Sequence, residues 1–174
     1  DGAGRLVEQA FVATGAALTP DELGPMTERY LAIYGALPVE RACIYPGVVE
    51  TLSALKAAGH RLGLCTNKPA GISLDLLREL GMGGLFDAVA GGDSVARKKP
   101  HPDPLLFVME RLGVDAGGAV MVGDNANDVA AARGAGVPMV AVAYGYPRMA
   151  LAELGADIII DRFADLPGAL ARLG

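Results

Sequence analysis

Ala119-Val120-Met121-Val122-Gly123-Asp124-Asn125-Ala126-Asn127-Asp128 is the stretch from which the fold can be read. A short apolar run ends in glycine and opens onto two carboxylates four positions apart, after which helical spacing carries on to Ala135. The pattern predicts a strand from Ala119 to Val122, an acidic turn and a helix from Asp128. A strand with no polar alternation is buried on both faces, as in a parallel sheet covered by helices.

The same unit recurs on either side. Upstream, a helix from about Val48 to Ala58 precedes the apolar run Leu62 to Cys65, and a helix from Ala70 to Leu80 precedes a strand around Ala88 to Ala90. A third, from Pro104 to Leu112, leads into the opening stretch. Downstream, Met139 to Val142 and Asp157 to Ile160 read as further strands. The expected fold class is α/β, a doubly wound, Rossmann-like parallel sheet spanning 44–174. Residues 1–43 carry helical patterns only. Apolar positions recur from Gly4 to Thr14, and Thr19-Pro20-Asp21-Glu22 is a capping box with proline in the first turn, opening a helix to about Tyr34.

Composition bounds the function. With 174 residues, 52% of them hydrophobic and 20% charged, the chain is long enough to bury a core and is neither disordered nor fibrous. A net charge of -5, with Arg97-Lys98-Lys99 as the one basic run, argues against a nucleic-acid surface. No apolar stretch approaches the roughly 18 residues of a membrane span and no signal-peptide pattern opens the chain, so a cytoplasmic location is the default expectation. Cys43 and Cys65 lack CxxC spacing and read as packing residues. The two histidines, His60 and His101, support no histidine-ligated metal, and neither a phosphate-binding G-x-x-x-x-G-K-[ST] loop nor a G-x-G-x-x-G turn occurs.

Ligands of doubly wound sheets bind beyond the carboxyl ends of the strands, and three polar sets gather there. Thr66 and Asn67 follow the first strand and precede a helix with Pro69 in its expected first turn, where unpaired amides and the helix dipole favour an anion; either residue also suits a simple N-cap. Lys98 and Lys99 lie in a loop stiffened by Pro100, Pro102 and Pro104, and Lys99, immediately before a proline, is the better-fixed ammonium. Asp124 and Asp128 repel each other unless a cation holds them; read without one, Asp124 is a turn residue and Asp128 an acid at the start of the following helix. Mg2+, which takes oxygen ligands and keeps several waters, suits one direct and one outer carboxylate. Together the sets fit a metal ion and a small phosphorylated substrate.

Cys65-Thr66-Asn67-Lys68-Pro69, Lys99 in Lys98-Lys99-Pro100-His101-Pro102-Asp103-Pro104, and Gly123-Asp124-Asn125-Ala126-Asn127-Asp128 resemble, in order, the second, third and fourth motifs of the haloacid dehalogenase superfamily. Gly91-Gly92-Asp93 and Tyr144-Gly145-Tyr146 are similar to segments of its phosphoglycolate phosphatase group. The resemblance implies that residues 1–43 are part of a helical cap over the site. It also implies hydrolysis in two steps through an aspartyl-phosphate, with Thr66, Asn67 and Lys99 as catalytic, phosphate-binding residues and Asp124 and Asp128 as the metal site. The family's first motif, Asp-x-Asp, is absent from these residues, and the chain opens on Asp1 rather than methionine. The expectation is that the central first strand and the nucleophile lie upstream of Asp1.

The expected function is Mg2+-dependent hydrolysis of a small phosphate monoester, 2-phosphoglycolate first. A sugar phosphate or other organic phosphate is the second reading, and a non-catalytic phosphate-binding domain the third. Arg5 is a candidate partner for a substrate carboxylate. Monomer and homodimer remain equally open.

Overall fold

The computed structural model describes residues 2–37, 44–146 and 149–174. The chain divides into two compact units, 1–40 and 41–174. The expected boundary at residue 43, and Cys43 itself, lie outside the described residues.

The first unit is a helical pair, α1 (Ala3–Ala13) and α2 (Pro20–Gly35). The capping box sets the start of α2: the Thr19 amide and hydroxyl donate to Glu22 Oε2 at 2.9 and 2.8 Å, and Pro20 occupies the first turn, where its missing N–H costs nothing. Val7 is the buried residue of α1, and Tyr30 stacks on Tyr34 one turn away along α2.

The second unit alternates helix and strand: α3 (Val48–Ala57), β1 (Gly63–Cys65), α4 (Ala70–Glu79), β2 (Ala88–Ala90), α5 (Asp103–Leu112), β3 (Met121–Gly123), α6 (Ala126–Ala135), β4 (Met139–Val142), α7 (Leu151–Leu154), β5 (Ile158–Ile160) and α8 (Leu166–Leu173). All pairings are parallel. β1 pairs with β2, Leu64 opposite Val89; β4 lies between β3 and β5, with Val140 opposite both Val122 and Ile158. Among the described residues no ladder joins the two sheets, and β1 and β3 each keep one edge unpaired.

β4 shows why the sequence carries no polar alternation here. Met139 and Ala141 point into a core with Leu105, Met109 and Val129 from α5 and α6, whereas Val140 and Val142 point into a second core with Leu55, Leu166 and Ala169 from α3 and α8. Each large apolar side chain so buried contributes roughly 1.5–3 kcal/mol. Helices therefore cover both faces, as the apolar strands require. Among the described residues no helix is long and apolar enough to cross a membrane.

Most boundaries shift by a residue or so, and three differences bear on the site. The third strand is Met121–Gly123 rather than 119–122, because Ala119 belongs to the end of a short 3-10 turn capped by Asp115. The helix after it begins at Ala126, not Asp128: Asn125 is the N-cap, and Asp128 is the third residue of a capping box. Pro69, rather than Thr66 or Asn67, is the N-cap of α4.

Candidate functional site

β1 delivers Thr66 and Asn67 at its carboxyl end. The Thr66 amide donates to the Ala90 carbonyl at 2.9 Å, continuing the β1–β2 ladder by one bond, and Thr66 Oγ1 accepts from the Lys68 amide at 3.2 Å. Asn67 Nδ2 donates to the Lys99 carbonyl at 2.8 Å. Asn67 Oδ1 is the buried side-chain polar atom that finds no hydrogen-bond partner among the described residues. Buried polar atoms are nearly always paired, so an unmet acceptor marks a place where a donor is wanted.

Lys99 is buried and Lys98 exposed. The Lys99 ammonium donates to the Cys65 carbonyl at 2.6 Å and to Asp128 Oδ1 at 2.7 Å. Exposure of Lys99 is 8% and of Asp128 3%, so the pair exists at low dielectric and its geometry is stringent. Asp128 Oδ2 accepts the amides of Asp124 and Asn125 at 3.1 and 3.3 Å. Both of its oxygens are thus engaged. Asp128 thus meets the lysine through Oδ1 and the turn that presents Asp124 through Oδ2.

Asp124 stands partly exposed just beyond β3. Oδ1 accepts from Asn125 Nδ2 at 2.9 Å and Oδ2 from the Tyr146 amide at 2.8 Å. A carboxylate offers about four lone-pair sites, so one N–H on each oxygen leaves acceptor capacity on both. Among the described residues no three His, Cys, Asp or Glu side chains cluster as a ready metal cage. One accessible carboxylate with acceptor capacity on both oxygens fits a hard cation that keeps most of its waters, which is the habit of Mg2+.

The Gly91-Gly92-Asp93 turn braces the Thr66–Asn67 loop. The Gly92 amide donates to the Lys68 carbonyl at 2.9 Å, and a Cβ on Gly92 would run into the Asn67 carbonyl. Asp93 Oδ1 accepts the Ala70 amide at 2.8 Å. The expected set of unpaired amides at the start of α4 is therefore reduced, since Asp93 already takes the first. Sequence reading places this segment after the second strand but gives it no role of its own. The signal that locates it is a glycine pair directly after an apolar strand, which lets two backbones approach closely.

Cys65, part-buried between the β1–β2 core and the β3–β4 core, packs as expected; burial pushes its thiol above the usual range, with the Lys99 charge opposing. His60 is exposed, and His101 contacts Asp103 at 3.0 Å within the Lys99 loop. Arg97 also binds Asp103, through two hydrogen bonds of 2.9 and 3.2 Å. A cleft of about 240 Å³ lies beside Asp124, walled by Tyr45, Val48, Val122, Tyr144 and Phe163.

A family model described as haloacid dehalogenase-like hydrolase matches residues 5–142. A phosphoglycolate phosphatase of Rhodospirillum rubrum is 46% identical over 170 residues, covering 95% of this chain and 70% of that protein. Among solved structures, a predicted phosphoglycolate phosphatase from Haemophilus somnus superposes with a TM-score of 0.81 at 33% identity, covering 97% of this chain and 75% of that one. CbbY from Rhodobacter sphaeroides, solved in complex with phosphate, gives 0.69 at 31% identity, covering 87% of this chain and 68% of the other.

Proposed function

Because this chain belongs to the haloacid dehalogenase-like hydrolase family, we propose that it carries most of the site of a Mg2+-dependent phosphatase for small phosphate monoesters, 2-phosphoglycolate first. The observation that carries the reading is the buried Lys99, held at 2.6 Å by the Cys65 carbonyl and at 2.7 Å by Asp128 beside the strand ends. An ammonium so fixed supplies positive charge without rearrangement as a phosphoryl group reacts.

Thr66 and Asn67 bind and orient the phosphoryl oxygens. Lys99 balances their charge together with that of the attacking carboxylate. That carboxylate, which these 174 residues do not offer as an Asp-x-Asp pair, we place upstream of Asp1, on a strand between β1 and β3. It attacks phosphorus and expels the alcohol, and water then cleaves the aspartyl-phosphate. Asp124 would hold Mg2+, which when bound neutralises phosphate charge. Asp128 orients Lys99 and the Asp124 turn. The helices of 1–40 serve as part of a cap that excludes water.

Phosphate release from a panel of monoesters, with Mg2+ and with chelator, tests this on the full-length protein. The expected result is metal-dependent turnover with 2-phosphoglycolate preferred. A preference for a sugar phosphate would change the substrate and keep the chemistry. No release from any ester would overturn the reading in favour of a phosphate-binding domain, the alternative favoured by the missing Asp-x-Asp.

A further inference from the structure

The Tyr144-Gly145-Tyr146 segment after β4 has no part in the chemistry above, yet it lies directly against Asp124. The Tyr146 amide donates to Asp124 Oδ2 at 2.8 Å. Gly145 is what permits this, since a Cβ there would overlap Asp124 Cβ and lie 2.6 Å from Oδ2 and 2.8 Å from Cγ. Gly145 does not need a left-handed backbone, so space, not conformation, requires glycine.

The segment is itself held from the far side. The Tyr45 ring meets the Tyr144 ring at a centroid separation of 4.6 Å. Aromatic pairs of this kind are worth more than the area they bury. Asp124 is thereby fixed from two directions, by Asn125 Nδ2 on Oδ1 at 2.9 Å and by the Tyr146 amide on Oδ2.

We propose that the Gly145–Tyr146 turn is a positioning element for the divalent cation: its backbone amide sets the orientation of the Asp124 carboxylate, and so the affinity of the site for metal. This rests on the reading that Asp124 holds the cation. A carboxylate free to rotate must be ordered when the ion binds; one already clamped avoids that cost. The donor is a main-chain group, so the side chain at 146 is not the agent.

The test is direct binding of Mn2+ to the purified full-length protein, followed by electron paramagnetic resonance of the unbound ion, with no substrate and no turnover. Gly145→Ala is expected to weaken Mn2+ at least tenfold with the fold retained by circular dichroism. Replacing the Gly145–Tyr146 amide by an ester, which deletes the N–H and adds no atom, should weaken it by a similar factor and serves if the alanine variant does not fold. Tyr146→Ala, which keeps the amide, should stay within threefold of the parent. Parent-like affinity in the ester protein, or a loss in Tyr146→Ala as large as in the ester, would overturn the proposal. Asp124→Asn tests the reading underneath: if it binds Mn2+ as the parent does, or if the parent binds none, that reading fails and the positioning role fails with it.

Discussion

Truncating Asp128 to alanine removes the carboxylate that, among the described residues, meets the Lys99 ammonium at 2.7 Å, and the acceptor of the Asp124 and Asn125 amides at 3.1 and 3.3 Å. Lys99 would be left 8% exposed with the Cys65 carbonyl as its remaining partner. Stranding one member of a buried ion pair costs about 3–5 kcal/mol. Loss of a helix cap costs about 0.5–2 kcal/mol, and the two overlap because the same carboxylate performs both tasks. The expected loss for Asp128→Ala is therefore about 4 kcal/mol, from a total stability on the order of 5–15 kcal/mol for a domain. Lys99→Met should cost less, about 2 kcal/mol, since Asp128 keeps its two amide donors. In the double variant no ammonium is stranded, so it should be more stable than Asp128→Ala alone or close to it. Urea unfolding of the parent, both single variants and the double variant closes the cycle. A loss below about 1 kcal/mol in Asp128→Ala, with additivity to within about 0.5 kcal/mol, would refute the claim that the pair is buried and coupled.

Four further outcomes follow from other contacts. Asp87 is held below its ordinary carboxyl range by the Lys56 hydrogen bond first and the Leu62 amide second. A depressed folded value means that its stabilisation is complete above the unfolded value of 3.8 and is lost as pH falls through the folded value. Melting temperatures of the parent and Asp87→Asn should therefore differ at pH 6 and converge below pH 4; a constant gap would contradict this. Gly92→Ala pushes on the Asn67 carbonyl, so it should raise KM for phosphate esters at least tenfold, whereas Asp93→Ala, which loses an amide contact to the start of α4, should cost about 1 kcal/mol in thermal unfolding. The Cys65 thiol, raised by burial, should resist iodoacetamide at pH 8 in the native protein and react once urea is added, as read by peptide mass spectrometry.

The alternation of helix and apolar strand was legible because burial on both faces leaves no other pattern available: Met139-Val140-Ala141-Val142 reads as β4 with no boundary error. The start of α6 was misplaced because Asn125 and Asp128 share a capping box whose two halves act on each other's backbone. An acidic residue in that place looks the same in sequence whether it faces solvent, metal or lysine. Lys99 was distinguished from Lys98 by the proline after it, and burial separates the two in the structure. The roles of Asp93 and of the Tyr146 amide were not legible. Both depend on approach between segments more than 20 residues apart, and a main-chain donor leaves no mark in the residue type.

β4 has a further consequence. With its four residues committed alternately to two cores, the strand has no side on which a new polar group could be tried without cost. Chemical novelty in this molecule is confined to the few residues that follow each strand, where an exchange disturbs one contact instead of a whole layer. Altering specificity by grafting those strand-exit segments onto an unchanged sheet is thus the economical route, for a laboratory as for descent, and the stability of the scaffold and the novelty of the site can be varied almost independently.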